Sequence, residues 1–335
     1  MGYGEAPWEF RGRALYQLSL VKVEEARKYV PPELPLVNLF GWTLGGFYLA
    51  RYSSSPAGAF DECVALAGLA WNFPTSCAWA ARVYVSDRTA RNHGIASVGL
   101  PSRLATFRAL PLPALGDGGA SSGSSATGKG KAQQQKGTQQ QQQAPARAIS
   151  WWDRPHSGGQ GGGSGSGQAG SSVSAAAASP TAMVELCNSE WTGLAGRLAS
   201  VGSQLLAGGE RRRGRGLVSP VCCIEVPQLV PAWAPKINMF LPSFSGATPD
   251  CPGLLKYTLK LSANVRPVRA ARVTFPEQRP EEDSGSEEVL DAVLGGRPLL
   301  CLEFSNMLME VQPPQPWTPR GAPAAAAGSL LPAKA

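Results

Sequence analysis

Histidine is nearly absent from this chain, which has two among its 335 residues, His93 and His156. Two histidines are too few for a histidine-rich metal site, and they leave little material for an oriented serine–histidine–aspartate triad. The seven cysteines form no C-x-x-C pair, and an odd number is typical of reduced thiols inside a cell. We therefore predict an intracellular protein with no disulfide framework, no metal and no cofactor.

Long apolar runs are missing as well. The longest, residues 39–50 and 63–71, are well short of the ~18 residues that a helix needs to cross a bilayer. The N-terminal sequence MGYGEAPWEF has no apolar stretch of a secretory signal, and its two glutamates are untypical of a transit peptide. The sequence thus predicts no transmembrane segment, and no targeting signal is visible in it.

The net charge of +7 raises the question of a nucleic-acid partner. Most of it lies in two segments: residues 113–180 hold five basic and two acidic residues, and residues 210–216, ERRRGRG, hold four arginines and one glutamate. A nucleic-acid footprint would lie on a folded face or form a long basic arm. No nucleic-acid partner is therefore expected, and the arginine run is interpreted as a solvated loop rather than a contact to RNA or an acidic membrane.

Composition also predicts the domain boundaries. Residues 113–180 are almost entirely Gly, Ser, Gln and Ala, which cannot bury enough apolar surface to offset chain entropy, so a disordered insertion is predicted there. A basic loop at 207–217, an acidic loop at 277–297 and a disordered tail at 314–335 are predicted on similar grounds. The remainder of residues 4–313 is predicted to form a single domain.

Alternating apolar and polar residues predict strands along most of that domain. A Gly45-Gly46 pair inside one of them predicts a bulge or a close approach of two backbones. Strands are predicted at residues 13–22, 36–40, 42–52, 60–71, 75–85, 183–187, 221–226, 254–262, 265–275 and 299–311, helices at 23–30 and at 86–94 with Ser86 as its cap, and turns at 99–103 and 242–246. So many strands and so few helices indicate a mainly antiparallel β (α+β) fold, either a sandwich or a barrel.

Glu62 is the candidate catalytic acid. In its predicted strand it shares a face with Phe60 and Val64, so its side chain is predicted to point inward. Burial would raise the pKa of this carboxyl group, which suits a general acid or a group that orients a ligand. The alternative is a structural role near the strand end, in an ion pair with an arginine such as Arg82. His93 is interpreted as a surface residue at a helix C-terminus.

Several motifs of the chain closely resemble the neoxanthin-deficient protein family of plants and algae, which looks like a branch of the acetoacetate decarboxylase-like superfamily. The motifs are GRALYQLSLVKVEEARKYVPPELPLV, GFYLARY, SPAGAFDECV, NFPTSCAWAARVYV, GLPSR, LPSFSG, LLKYTLKL and VRPVR. The resemblance implies an antiparallel barrel around an apolar cavity, and a requirement for the protein in making neoxanthin from violaxanthin, upstream of abscisic acid. Membership of this pathway, which the resemblance implies, suggests the chloroplast as the location.

The resemblance also identifies where decarboxylase chemistry would be. Decarboxylases of the superfamily use a lysine that forms a Schiff base, activated by a neighbouring cation, in a segment that ends Pro-Lys-Lys. Here Pro101 is followed by Ser102 and Arg103. A serine hydroxyl cannot form an iminium, and arginine stays protonated, so Schiff-base decarboxylation at this position is excluded. Glu62 matches the acidic residue of the superfamily, and Glu62, Arg82, Ser102 and Arg103 are the ligand-binding candidates.

Three functions remain after this step. The favoured one is a non-catalytic accessory protein whose partner is a carotenoid or other lipophilic ligand, or the enzyme that synthesises neoxanthin. The alternative is a carotenoid epoxide isomerase, in which Glu62 protonates the epoxide oxygen of violaxanthin and a nearby base removes a proton to give the allene. An RNA-associated protein that uses the RRRGRG run is disfavoured, because the rest of the domain is close to neutral.

Overall fold

Strands make up most of the part of the chain that the computed structural model describes, which is residues 3–110, 182–189, 219–227, 233–277 and 290–318. They are β1 (Trp8–Lys22), β2 (Trp42–Ser54), β3 (Phe60–Asn72), β4 (Thr75–Val85), β5 (Ser102–Leu110), β6 (Ala182–Asn188), β7 (Ser219–Val226), β8 (Lys236–Ser245), β9 (Leu254–Val268), β10 (Arg272–Thr274), β11 (Arg297–Val311) and β12 (Gln315–Trp317). The helices are short: α1 (Val23–Arg27), α2 (Arg88–His93), a π-helical turn (Gly94–Val98) and a helical segment at residues 290–294.

Seven of these strands close into a barrel. Hydrogen bonds join them in the order β4, β3, β2, β1, β11, β9 and β8, and β8 then pairs with β4. All of these pairs are antiparallel except β4 with β8, where Ala78 and Trp79 lie beside Ser243 and Phe244 in a parallel arrangement. The predicted mainly antiparallel β fold is confirmed, and of the two predicted architectures the barrel is the correct one.

The barrel has a sheet added to its side, and two apolar cores result. β5 pairs in parallel with the end of β4. The added sheet continues from β5 through antiparallel pairs with β6, then β7, then β10. One core joins side chains of the barrel's outer face, such as Phe47 and Leu49, to Leu186 and Ile224 of the added sheet. The other core lies inside the barrel and holds most of its aromatic residues. The interior core is the one that surrounds the candidate site.

Several predicted elements differ from the structure. Residues 36–40 form no strand, because Phe40 has a positive φ of 52° and the segment turns into β2 after single bridges to β3 and β2. Asp87 rather than Ser86 caps α2, accepting a bond from the amide of Ala90 at 2.9 Å, while the Ser86 hydroxyl accepts one from the amide of Asp61. The predicted turns at 99–103 and 242–246 are partly strand, since β5 begins at Ser102 and β8 includes residues 242–245.

Two predicted loop boundaries also move. Residues 290–294 lie inside the predicted acidic loop, yet they are helical and bury Leu290, Val293 and Leu294, whose spacing brings them to one helix face. β12 lies inside the predicted tail and pairs with β9, and its Trp317 packs against Phe244 with ring centroids 4.8 Å apart. The predicted insertion at 113–180 and the predicted basic loop at 207–217 both lie entirely outside the described residues.

The prediction that the chain has no transmembrane segment can be compared with the helices of the structure. In the described ranges no helix is both long enough and apolar enough to cross a bilayer.

Candidate functional site

A cavity of about 160 Å³ lies inside the barrel and is the candidate site. Its walls are mostly aliphatic and aromatic side chains, contributed by all seven barrel strands together with α2 and the turn that follows it. Among the described lining residues, the polar side chains are five tyrosines (Tyr3, Tyr16, Tyr48, Tyr52 and Tyr257), two serines (Ser102 and Ser243), Glu62 and His93. The strand period explains this composition, because every second side chain of a barrel strand points inward.

Glu62 points into the cavity, as the sequence predicted. Phe60 and Val64 lie on the same face of β3, whereas Asp61 and Cys63 lie on the opposite face and are buried there. The hydroxyl of Tyr52 donates a hydrogen bond of 2.7 Å to Oε2 of Glu62. Burial raises the pKa of Glu62 to about 7, although the bond from Tyr52 acts in the opposite direction. At neutral pH the carboxyl group is therefore protonated in a large fraction of molecules.

The tyrosines surround Glu62 with neutral hydroxyl groups. Burial raises the pKa of Tyr16 to about 12 and raises the pKa of Tyr48, Tyr52 and Tyr257 further above the ordinary tyrosine range. The hydroxyl of Tyr48 also lies 3.2 Å from the sulfur of Met307. All of them remain protonated at physiological pH and supply hydrogen-bond donors to an otherwise apolar space. Tyr48 and Tyr52 are four residues apart on one strand, so period-two alternation could have identified them.

His93 lines the cavity, and its predicted surface position is wrong. Its ring stacks on Tyr3, with centroids 3.7 Å apart and an angle of 7° between the planes, and meets Trp8 edge-on at 4.3 Å. Burial lowers the pKa of His93 to about 4, so the imidazole is neutral at pH 7. Its Nε2 atom is buried and has no hydrogen-bond partner among the described residues. The prediction failed because the helix continues as a π-helical turn, and because Tyr3 covers the ring from a distant part of the sequence.

The structure separates the four predicted ligand-binding residues into two pairs. Glu62 and Ser102 line the cavity, and Ser102 is only 5% exposed. Arg82 and Arg103 are not among the lining residues. Arg82 lies beside Ala65, whose side chain belongs to the core outside the barrel, so Arg82 is not the ion-pair partner that the alternative assigned to Glu62. The partner of Glu62 is Tyr52.

The described lining of the cavity holds no amine nucleophile. No lysine or arginine occurs among the described residues that line it. Lys260 of β9 lies between Leu259 and Leu261, which line the cavity, so it is on the outer face of the strand, where it is exposed and forms an ion pair of 3.2 Å with Glu310. The position after Pro101 points inward but carries a serine. The site can therefore enclose an apolar group and donate hydrogen bonds to an oxygen atom that it carries, whereas its described lining holds no residue that could form a Schiff base.

Comparison of the structure with solved structures gives similar chains of low sequence identity. An acetoacetate decarboxylase is similar with a TM-score of 0.47 and 8% identity, covering 96% of this chain and 93% of the other. The acetoacetate decarboxylase of Legionella pneumophila is similar with a TM-score of 0.44 and 8% identity, covering 96% of this chain and 91% of the other.

Comparison of the sequence gives much closer relatives, although no family model matches the chain. The protein NEOXANTHIN-DEFICIENT 1 of Oryza sativa subsp. japonica is 37% identical over 331 residues, which is 94% of this chain and 90% of the relative. The protein of the same name from Solanum lycopersicum is 34% identical, covering 94% and 93%, and that of Arabidopsis thaliana is 34% identical, covering 93% and 94%. With this identity over nearly its whole length, the chain belongs to the NEOXANTHIN-DEFICIENT 1 family.

Proposed function

We propose that this protein acts in the formation of neoxanthin from violaxanthin by binding a lipophilic ligand, a carotenoid, in the barrel cavity. Its relatives are named for neoxanthin deficiency, and they match the chain almost from end to end. The observation that carries the binding role is the described lining of the cavity, which combines apolar walls, neutral hydroxyl groups and the carboxyl group of Glu62. Such a lining is typical of a site for an apolar molecule with a few oxygen atoms.

The role proposed here involves no decarboxylation. A Schiff-base mechanism needs an amine in the site, and Ser102 occupies the inward position where the resemblance places the lysine. The chain is thus an accessory protein, which delivers its ligand to, or holds it for, the enzyme that makes neoxanthin. Because neoxanthin belongs to the chloroplast pathway of xanthophylls, we propose that organelle as the place of action.

Blocking the cavity tests this function. Ala80 lines the cavity on β4 and is 8% exposed, so the ring of an Ala80→Phe variant enters the space that the ligand would occupy. In cells that lack the native protein, we expect the wild-type chain to restore neoxanthin and Ala80→Phe to restore less than about a tenth of it. Pigments are measured by chromatography, and protein amount by immunoblot.

Ala270→Phe is the matched control, because Ala270 is exposed and lies outside the cavity. It adds the same ring and is expected to restore neoxanthin fully. Full restoration by Ala80→Phe at equal abundance would show that the cavity is not the functional site.

The same cells test the isomerase alternative. Glutamine keeps the size and hydrogen bonding of the side chain at position 62 but cannot protonate an epoxide. Under the accessory function, Glu62→Gln is expected to leave xanthophyll composition nearly normal. Loss of neoxanthin while the variant stays folded and abundant would favour catalysis by Glu62 over binding alone.

A further inference from the structure

The size and the charge of the cavity restrict what part of a ligand it can hold. We infer that the cavity takes one uncharged ring bearing an oxygen substituent, as the end group of a longer molecule, and that the rest of that molecule stays outside the barrel. This inference rests on the proposed function for the identity of the longer molecule. The neutrality of the bound group and its oxygen follow from the lining of the cavity, and the choice of a ring follows from the cavity volume together with the proposed ligand.

Volume argues for a ring rather than a whole chain. The cavity measures about 160 Å³. An engineered protein cavity of about 150 Å³ with aliphatic and aromatic walls binds benzene, which sets the scale for this space. A carotenoid has roughly forty carbon atoms and is several times too large for a space of benzene size. A single six-membered ring with small substituents is the part of such a molecule that this cavity accommodates.

The lining argues that the ring carries no charge. Among the described lining residues no side chain is a lysine or arginine, so a carboxylate would enter a low-dielectric space without a partner. The cavity's carboxyl group would repel it further. Among the described lining residues a ligand cation could pair only with Glu62, and that pair would require the buried carboxyl group, which accepts a hydrogen bond from Tyr52, to be ionised in a low-dielectric space. An uncharged ring avoids both costs.

Two polar groups in the lining indicate where an oxygen atom would bind. Nε2 of His93 is buried and has no hydrogen-bond partner in the part of the chain that the structure describes, and buried polar atoms in native proteins are nearly always hydrogen-bonded. A ligand hydroxyl group can donate to this nitrogen or accept from it, so it satisfies either neutral tautomer. Glu62 in its protonated form can donate to an ether or epoxide oxygen. The lining therefore favours an oxygenated ring over a plain hydrocarbon.

The shape requirement is tested with isomers. β-Ionone and pseudoionone have the same atoms, but the first contains a trimethylcyclohexene ring and the second is an open chain. Binding to the full-length protein is measured by calorimetry, and by tryptophan fluorescence, to which Trp8 of the cavity lining contributes. We expect β-ionone and its epoxide to bind at least tenfold more tightly than pseudoionone. Equal affinity of the two isomers would overturn the choice of a ring.

The charge requirement is tested on one skeleton. β-Cyclocitral is a neutral aldehyde, cyclogeranate is its carboxylate, and cyclogeranylamine is the corresponding cation. We expect the carboxylate to bind at least a hundredfold more weakly than the aldehyde, and the ammonium ion at least tenfold more weakly. An ion that binds as well as the aldehyde would overturn the neutrality of the site. The Ala80→Phe variant is expected to lose binding of the aldehyde, which shows that the signal comes from the cavity.

The role of Glu62 has its own readout. Affinity for β-ionone epoxide is expected to fall as pH rises above about 7, because the ionised carboxylate repels the epoxide oxygen. In Glu62→Gln the affinity is expected to stay constant over the same pH range. A fall of the same size in the glutamine variant would remove Glu62 from the oxygen-binding role.

Violaxanthin in detergent micelles separates this inference from the proposed function. If violaxanthin binds and β-ionone epoxide does not, the end-ring inference is wrong and the carotenoid-binding function stands. If neither binds, both are wrong. If both bind and compete with each other, the end ring of the carotenoid occupies the cavity.

Discussion

Replacing Gly46 with alanine is expected to lower the free energy of unfolding by more than about 4 kcal/mol, which places it among the exceptionally destabilising substitutions. Gly46 has a φ of +122°, a conformation that residues with a side chain rarely adopt. A Cβ atom there would lie 2.0 Å from the carbonyl oxygen of Gln17 and 3.1 Å from the amide nitrogen of Ser19. Both atoms belong to the backbone of β1, so relief requires β1 and β2 to separate.

Gly58→Ala is the matched control for this prediction. Gly58 also has a positive φ, of +90°, but a Cβ atom there would meet nothing within 4 Å. Backbone strain alone is expected to cost about 1 kcal/mol at that position. Unfolding in denaturant, followed by tryptophan fluorescence, measures both variants. If the unfolding free energies of the two variants differ by less than about 1 kcal/mol, β1 and β2 separate at little cost, and the prediction for Gly46 is wrong.

The close approach at this position was among the features that the sequence could predict. A pair of glycines inside an apolar strand indicates that a backbone comes too near for a Cβ atom, and the structure confirms it for both Gly45 and Gly46. The strands themselves were predictable because their alternation repeats over many residues. Closure of the barrel was not predictable, since it depends on pairing between β4 and β8, whose paired residues Ala78 and Ser243 are about 165 positions apart in the sequence.

The candidate site was predictable where the strand period continues without interruption. Glu62 lies on a regular part of β3, and its inward direction follows from Phe60 and Val64. Arg82 illustrates the limit. Ala80 lines the cavity, so an unbroken period would point Arg82 inward as well, but a register shift between Ala80 and Arg82 moves Val83 to the inner face instead. A one-residue bulge of this kind reverses the faces of the following residues, and nothing in the local sequence marks it.

The stability of the protein is expected to depend on pH through Glu62 and His93, whose effects on stability change with pH in opposite directions. Burial raises the pKa of Glu62 from 4.5 to about 7, so the folded state holds its proton more tightly than the unfolded chain does. Its contribution to stability is fully present below pH 4.5 and is lost as pH rises toward 7, up to about 3 kcal/mol in total. Burial lowers the pKa of His93 from 6.5 to about 4, so its contribution is present above pH 6.5 and is lost as pH falls toward 4.

The two contributions oppose each other between pH 4.5 and 6.5, so the wild-type protein alone cannot reveal them. Single variants separate them. Relative to wild type, Glu62→Gln is expected to gain stability as pH rises from 4.5 to 7, because the cost of ionising the buried carboxyl group is gone. His93→Phe keeps an aromatic ring against Tyr3 and is expected to gain stability as pH falls from 6.5 to 4.

Free energies of unfolding from denaturant titrations at a series of pH values test both signs, and the difference from wild type removes the contribution of all other groups. If both variants differ from wild type by a constant amount at every pH, neither group titrates differently in the folded protein. If only Glu62→Gln changes how the free energy of unfolding varies with pH, the imidazole of His93 is solvated and Tyr3 does not shield it from water. Opposite slopes would show that one cavity keeps an acid and a base uncharged at once, which is the electrostatic condition for a site that accepts a neutral ligand and rejects ions.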